Sequence, residues 1–112
     1  TKLNLVGEEA QKVVNEARAL NITAKLTLGD DLDHGILTQE EVQKYLDQLK
    51  DFRLKLDDIQ KAIDEGNYES ALNRADITKA LVKALVKEAA AAAAKRRAAQ
   101  PKASAEPLMI GA

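Results

Sequence analysis

The sequence has no cysteine, no tryptophan, one histidine and only two tyrosines and one phenylalanine among 112 residues. Without cysteine there is no disulfide framework, no thiolate metal site and no cysteine nucleophile, and the redox compartment stays open. A lone histidine excludes the paired Glu-x-x-His motifs from which di-iron bundles are built. Proline is missing from the first hundred positions; the two prolines, Pro101 and Pro107, both lie in the tail, so no ring interrupts a helix before it. The formal net charge of −1 lacks the basic excess of a dedicated nucleic-acid binder. No run approaches the roughly 20 apolar residues that cross a bilayer, and no signal-peptide pattern or glycine-rich phosphate loop occurs.

Helix formers dominate what remains: Ala, Leu, Lys, Glu, Asp and Gln. The length suits one domain. Asp30, Asp31, Asp33 and Gly35 are poor continuations of a first helix. Thr38-Gln-Glu-Glu41 then writes a capping box, with the Thr hydroxyl placed to accept from the Glu41 amide while the Glu41 carboxylate reaches back. Asp64-Glu-Gly66-Asn67 closes the second helix with a glycine suited to the left-handed C′ position, and Glu69 adds negative charge to the first turn of the third. Three helices are predicted, over about residues 4–30, 38–65 and 67–99.

Apolar periodicity orients them. In the second helix Val42, Tyr45, Leu46, Leu49, Phe52, Leu56, Ile59 and Ile63 fall in one stripe at helix-packing spacing. The third carries Tyr68, Ala71, Leu72, Ala75, Ile77, Leu81, Val82, Leu85 and Val86 over nearly half its circumference, a face suited to the groove between two others. The first offers Val6, Ala10, Val13, Ala17, Leu20 and Ala24; Ile22 and Leu26 point the other way, through a bend near Asn21 or towards a partner. Short connections favour antiparallel neighbours. The expected fold is all-α: an up-down-up antiparallel three-helix bundle over residues 1–98. Beyond Val86, the run Ala89–Ala94 has no large side chain to anchor it, so the third helix is expected to project past the bundle. Residues 99–112 are expected to be an extended tail ending in apolar Leu108, Met109 and Ile110.

Chemistry-bearing groups are few. The acidic turn 30–41 resembles a calcium loop, but with Gly35 at position six of that pattern, Leu32 and His34 replace oxygen ligands, which favours a capped turn. His34 has Asp31 and Asp33 near it but no serine nucleophile; the only serines are Ser70 and Ser104, so a solvent-exposed turn histidine is expected. The carboxylate pairs Glu8/Glu9, Asp57/Asp58 and Asp64/Glu65 diverge by about 100° on a helix and do not converge on a substrate. No catalytic residue, metal ligand or cofactor is expected. Charge is unevenly spread: residues 1–27 carry a net +1, residues 28–69 a net −7 and residues 70–112 a net +5. Lys79, Lys83 and Lys87 form one basic stripe, best explained by pairing with acidic neighbours, while Lys95, Arg96 and Arg97 are the more credible contact point for phosphates or anionic headgroups.

Gly35-Ile-Leu-Thr-Gln-Glu40 and Gly66-Asn-Tyr-Glu-Ser-Ala71-Leu72, after an Ala-rich first helix, resemble a loose family of small bacteriophage-encoded three-helix proteins, some of them lipoprotein-like. The resemblance covers roughly residues 10–88 and implies no catalytic residues; the absence of cysteine and the basic, proline-containing tail depart from the lipoprotein pattern. The functional expectation is a non-enzymatic structural or assembly protein, a minor component of a phage particle or another multi-protein complex. A protein partner or self-association would engage Ile22, Leu26, Lys95, Arg96, Arg97, Leu108, Met109 and Ile110. The alternatives are a basic-helix binder of nucleic acid or anionic membrane, and a small periplasmic lipoprotein. The expected location is the virion or cytoplasm, or the periplasm if a signal segment preceded Thr1.

Overall fold

A computed structural model describes residues 2–99, with side chains from Leu5 onwards. It contains α1 (Lys2–Asp33), α2 (Gln39–Asp64) and α3 (Tyr68–Ala99), with no strand among the described residues. The tail residues Leu108, Met109 and Ile110 lie outside them.

Local chemistry at both turns is written in the glycines and the cap. At the end of α1, Gly35 adopts φ 69°, and two bonds of a Schellman motif close the helix: Gly35 N–H to Leu32 C=O (3.0 Å) and Ile36 N–H to Asp31 C=O (2.8 Å). The end of α2 repeats the arrangement, with Gly66 at φ 85°, Gly66 N–H to Ile63 C=O (3.0 Å) and Asn67 N–H to Ala62 C=O (2.8 Å). Thr38 caps α2 as expected: its hydroxyl accepts from Glu41 N–H at 3.2 Å, and the Glu41 carboxylate accepts from Thr38 N–H at 2.9 Å. The first helix nevertheless runs to Asp33, three residues beyond the expected end. Of its terminal aspartates, Asp31 is buried and paired with Arg97 of α3, while Asp30 and Asp33 stay exposed to solvent.

Cross-helix pairs set the directions. Gln11 meets Gln60, Arg18 meets Asp57 and Asn21 meets the Leu49 carbonyl, so α2 runs antiparallel to α1. Tyr68 lies against Gly7, Lys79 against Glu16 and Arg97 against Asp31, so α3 runs parallel to α1. This is the up-down-up three-helix bundle. Its core divides into two clusters. One, near the α2–α3 turn, joins Ala10, Val13, Val14 and Ala17 of α1 to Leu56, Ile59 and Ala62 of α2 and Ala71 and Ala75 of α3. The other, at the α1–α2 turn, joins Ala24, Leu28, Ile36, Leu37, Val42, Tyr45 and Leu49 to Val82, Leu85, Ala89 and Ala93.

Two packing expectations need correction. The alanine-rich end of α3 does not project free: Ala89 and Ala93 are buried against the α1–α2 turn, because Ile36 and Leu37 supply the bulk that alanines lack. The face of α3 is also narrower than expected. Ile77 and Leu81 lie on its flank, 61% and 41% exposed, while Thr78 takes a buried place. Of the two alternatives for Ile22 and Leu26, a bend near Asn21 or a covering partner, the bend is absent: Asn21 sits buried inside the continuous helix α1, and its side-chain amide donates to the Leu49 carbonyl at 2.9 Å.

Candidate functional site

The expected basic contact point is largely consumed inside the molecule. Arg96 donates to Glu41 at 2.7 Å and Arg97 donates to Asp31 at 2.8 Å. Both arginines lie on the last turn of α3, where positive charge also complements the helix dipole. Arg97 is committed most firmly, since Asp31 is only 3% exposed and a buried carboxylate without a cation is costly. Lys95 is exposed and takes no part in the ion pairs of the described residues. The two expected contact arginines are thus clamps between helices, a role their position in a basic cluster does not reveal.

Lys79, the first member of the basic stripe, donates to Glu16 of α1 at 2.7 Å, and that hydrogen bond is the main cause holding the Glu16 carboxyl below the usual carboxylate range. Lys83 and Lys87 remain exposed beside it. The Glu41 carboxyl is also held low, first by the Thr38 backbone N–H, with help from the Thr38 hydroxyl and the Arg96 guanidinium. Burial, reinforced by nearby Glu88 and Glu41, raises the Tyr45 phenol above its ordinary range.

His34 is exposed, and its Nδ1 lies 2.8 Å from the Asp30 carbonyl, the place of a turn histidine tied to its own helix end. No group of three or more His, Cys, Asp or Glu side chains is arranged to hold a metal ion among the described residues. In the acidic turn, Glu41 and Asp31 are spent on the cap and on Arg96 and Arg97. No helix among the described residues is long and apolar enough to cross a membrane. An apolar slot of about 90 Å³ opens between α1 and α3, lined by Leu20, Thr23, Ala24, Thr27, Leu28, Asp31, Leu85, Val86, Ala89 and Ala90. It exists because alanines and threonines face each other there.

The remaining candidates are apolar. Ile22 and Leu26 are 60% and 66% exposed, one turn apart on the outside of α1, as their separation from the main stripe implied. Ile77 and Leu81 repeat the same pair on α3, and Leu54 on α2 stands 50% exposed. The α3 pair escaped the sequence reading because its residues border the core stripe; periodicity alone does not tell the edge of a packed face from a second face. Comparison with protein-family models, curated proteins and solved structures finds no match to this chain.

Proposed function

We propose that this protein is a non-enzymatic structural or assembly protein that works through helix packing against other protein surfaces. The observation that supports this reading is the pair Ile22 and Leu26, large aliphatic side chains left mostly exposed on a bundle that has already buried Leu28, Leu49, Leu56 and Ile59. Scattered apolar residues are ordinary on a surface, but two aliphatic residues one turn apart form a coherent stripe for a further helix. The weak likeness of Gly35–Glu40 and Gly66–Leu72 to small phage-encoded helical proteins is the ground for reading the assembly as a phage particle or a similar complex. Residues Leu108, Met109 and Ile110 extend the reading as a second, C-terminal docking arm. A basic-helix binder of nucleic acid or anionic membrane is less favoured, because Lys79, Arg96 and Arg97 are engaged with acids of the same chain.

The test is co-purification of the intact chain and of an Ile22→Lys/Leu26→Lys variant from the producing cell. The expected result is that protein partners, including further copies of the chain, come with the wild type and are lost from the variant. Full retention of every partner by the variant sinks the reading.

A further inference from the structure

We infer that the partner of this exposed surface is a second copy of the chain, with the outer face of α1 on one copy packing antiparallel against the outer flank of α3 on the next; the inference rests on the assembly reading and names its partner. Ala19, Ile22, Leu26 and Gly29 recur on α1 at steps of three, four and three residues, the a/d spacing of a helix-packing seam, on the side turned away from Ala10, Ala17 and Leu28. Ile77, Leu81 and Ala84 follow the same rhythm on α3. All are exposed except Gly29, which is half-buried. By contrast α2 carries a single large exposed aliphatic residue, Leu54. Two helices therefore each have a second seam that the bundle does not use.

Charge selects the pairing. Set antiparallel with Ile22 opposite Leu81 and Leu26 opposite Ile77, the two seams interleave as a and d positions must, and Ala19 meets Ala84, where two small side chains let the backbones approach. The same register brings Glu8 level with Lys95 and Lys12 within one turn of Glu88. It also brings Asp30 within one residue of the level of Arg74 and Asp33 about one turn beyond it, so opposite charges meet along about 38 Å of helix. A parallel pairing of the same aliphatic residues sets Asp33 level with Glu88, acid against acid. All of these charged residues are exposed, and none is used in the four ion pairs of the described residues. Pairing α1 with a second α1 leaves the α3 seam uncovered, whereas α1 on α3 covers both. The contact is heterologous: each copy offers a different surface at each side, so copies add head to tail into a ring or an open filament.

The full chain is measured by light scattering and sedimentation over a range of concentrations. The wild type is expected to form species larger than a dimer, weakened by salt. Ile22→Lys and Leu81→Lys, both at exposed positions, are each expected to weaken association at least about tenfold while helix content by circular dichroism stays unchanged. Mixing those two variants is the decisive step. The first keeps its α3 seam and the second its α1 seam, so together they form a one-to-one dimer that grows no further. Dimers of Leu81→Lys alone would indicate α1 paired with α1, dimers of Ile22→Lys alone would indicate α3 paired with α3, and either overturns the inference. A wild type still monomeric at about 1 mM overturns it too. The assembly reading falls by a separate result, retention of all partners by Ile22→Lys/Leu26→Lys.

Discussion

Arg97, 66 positions from Asp31 in the chain, donates to that carboxylate at 2.8 Å, and Asp31 is buried where the chain leaves α1. Its backbone carbonyl at the same place accepts from Ile36 and Leu37, so one residue ties the end of α3 to the turn on which α2 begins. Arg97→Gln is expected to destabilise the fold by about 1–3 kcal/mol, because it leaves a buried carboxylate without its cation. An additional Asp31→Asn should recover part of the loss. Urea denaturation of the two single variants and the double variant gives the coupling, and hydrogen exchange should show the amides of Ala89–Ala99 opening first in Arg97→Gln.

The capping box makes stability depend on acid. Glu41 and Glu16 are both held below the usual carboxylate range, by Thr38 and Lys79 respectively, so each favours the folded state fully at neutral pH. That contribution should be lost as pH falls through and below the ordinary carboxylate range. Thermal melts from pH 7 down to about pH 3 are expected to show a falling Tm. Thr38→Ala should lower stability by about 1 kcal/mol at neutral pH. It should change the acid limb only slightly, since Glu41 loses the hydroxyl but keeps the backbone N–H at position 38, the main cause of its low pKa.

Gly7 is fitted to Tyr68. A Cβ built on Gly7 would stand 2.9 Å from Tyr68 Cδ1 and 3.0 Å from Cε1, inside van der Waals contact. Alanine in a helix interior is ordinarily favoured over glycine by about 1 kcal/mol. Gly7→Ala is expected to destabilise the wild type, where the ring must move, and to stabilise a Tyr68→Ala background. A double-mutant cycle by chemical denaturation reads the change of sign.

The alanine run offers two sites where one substitution should act in opposite directions. Ala90 borders the 90 Å³ slot between α1 and α3, so Ala90→Leu has space to fill and should stabilise by about 1 kcal/mol. Ala93 is 2% exposed within the core against the α1–α2 turn, and Ala93→Leu should cost about 1–3 kcal/mol by overpacking. Midpoints of urea unfolding, at unchanged slope, check both.

Most of the bundle was legible before any packing was known, because its signals are local. Gly35 and Gly66 supply positive φ at two helix ends, and Thr38 with Glu41 closes a cap across three residues. The single stripe on α2 has the period of a half-buried helix. From those features follow three helices, their short turns, their alternating directions and the isolation of Ile22 and Leu26 on the far side of α1.

Partnership across the bundle was another matter. Asp31 read as a helix breaker and Arg97 as a free cation; each takes its role from the other, and nothing in their own surroundings in the chain announces the pair. Ala89 and Ala93 had no bulk of their own to suggest burial, which comes from Ile36 and Leu37 more than fifty residues earlier. Asn21 reaches a carbonyl on α2, and Ile77 and Leu81 are left at the rim of a face that periodicity drew too wide. Helix formation depends on neighbours one turn apart, whereas burial and charge pairing depend on which rods meet and at what level, and that is settled only when all three pack at once.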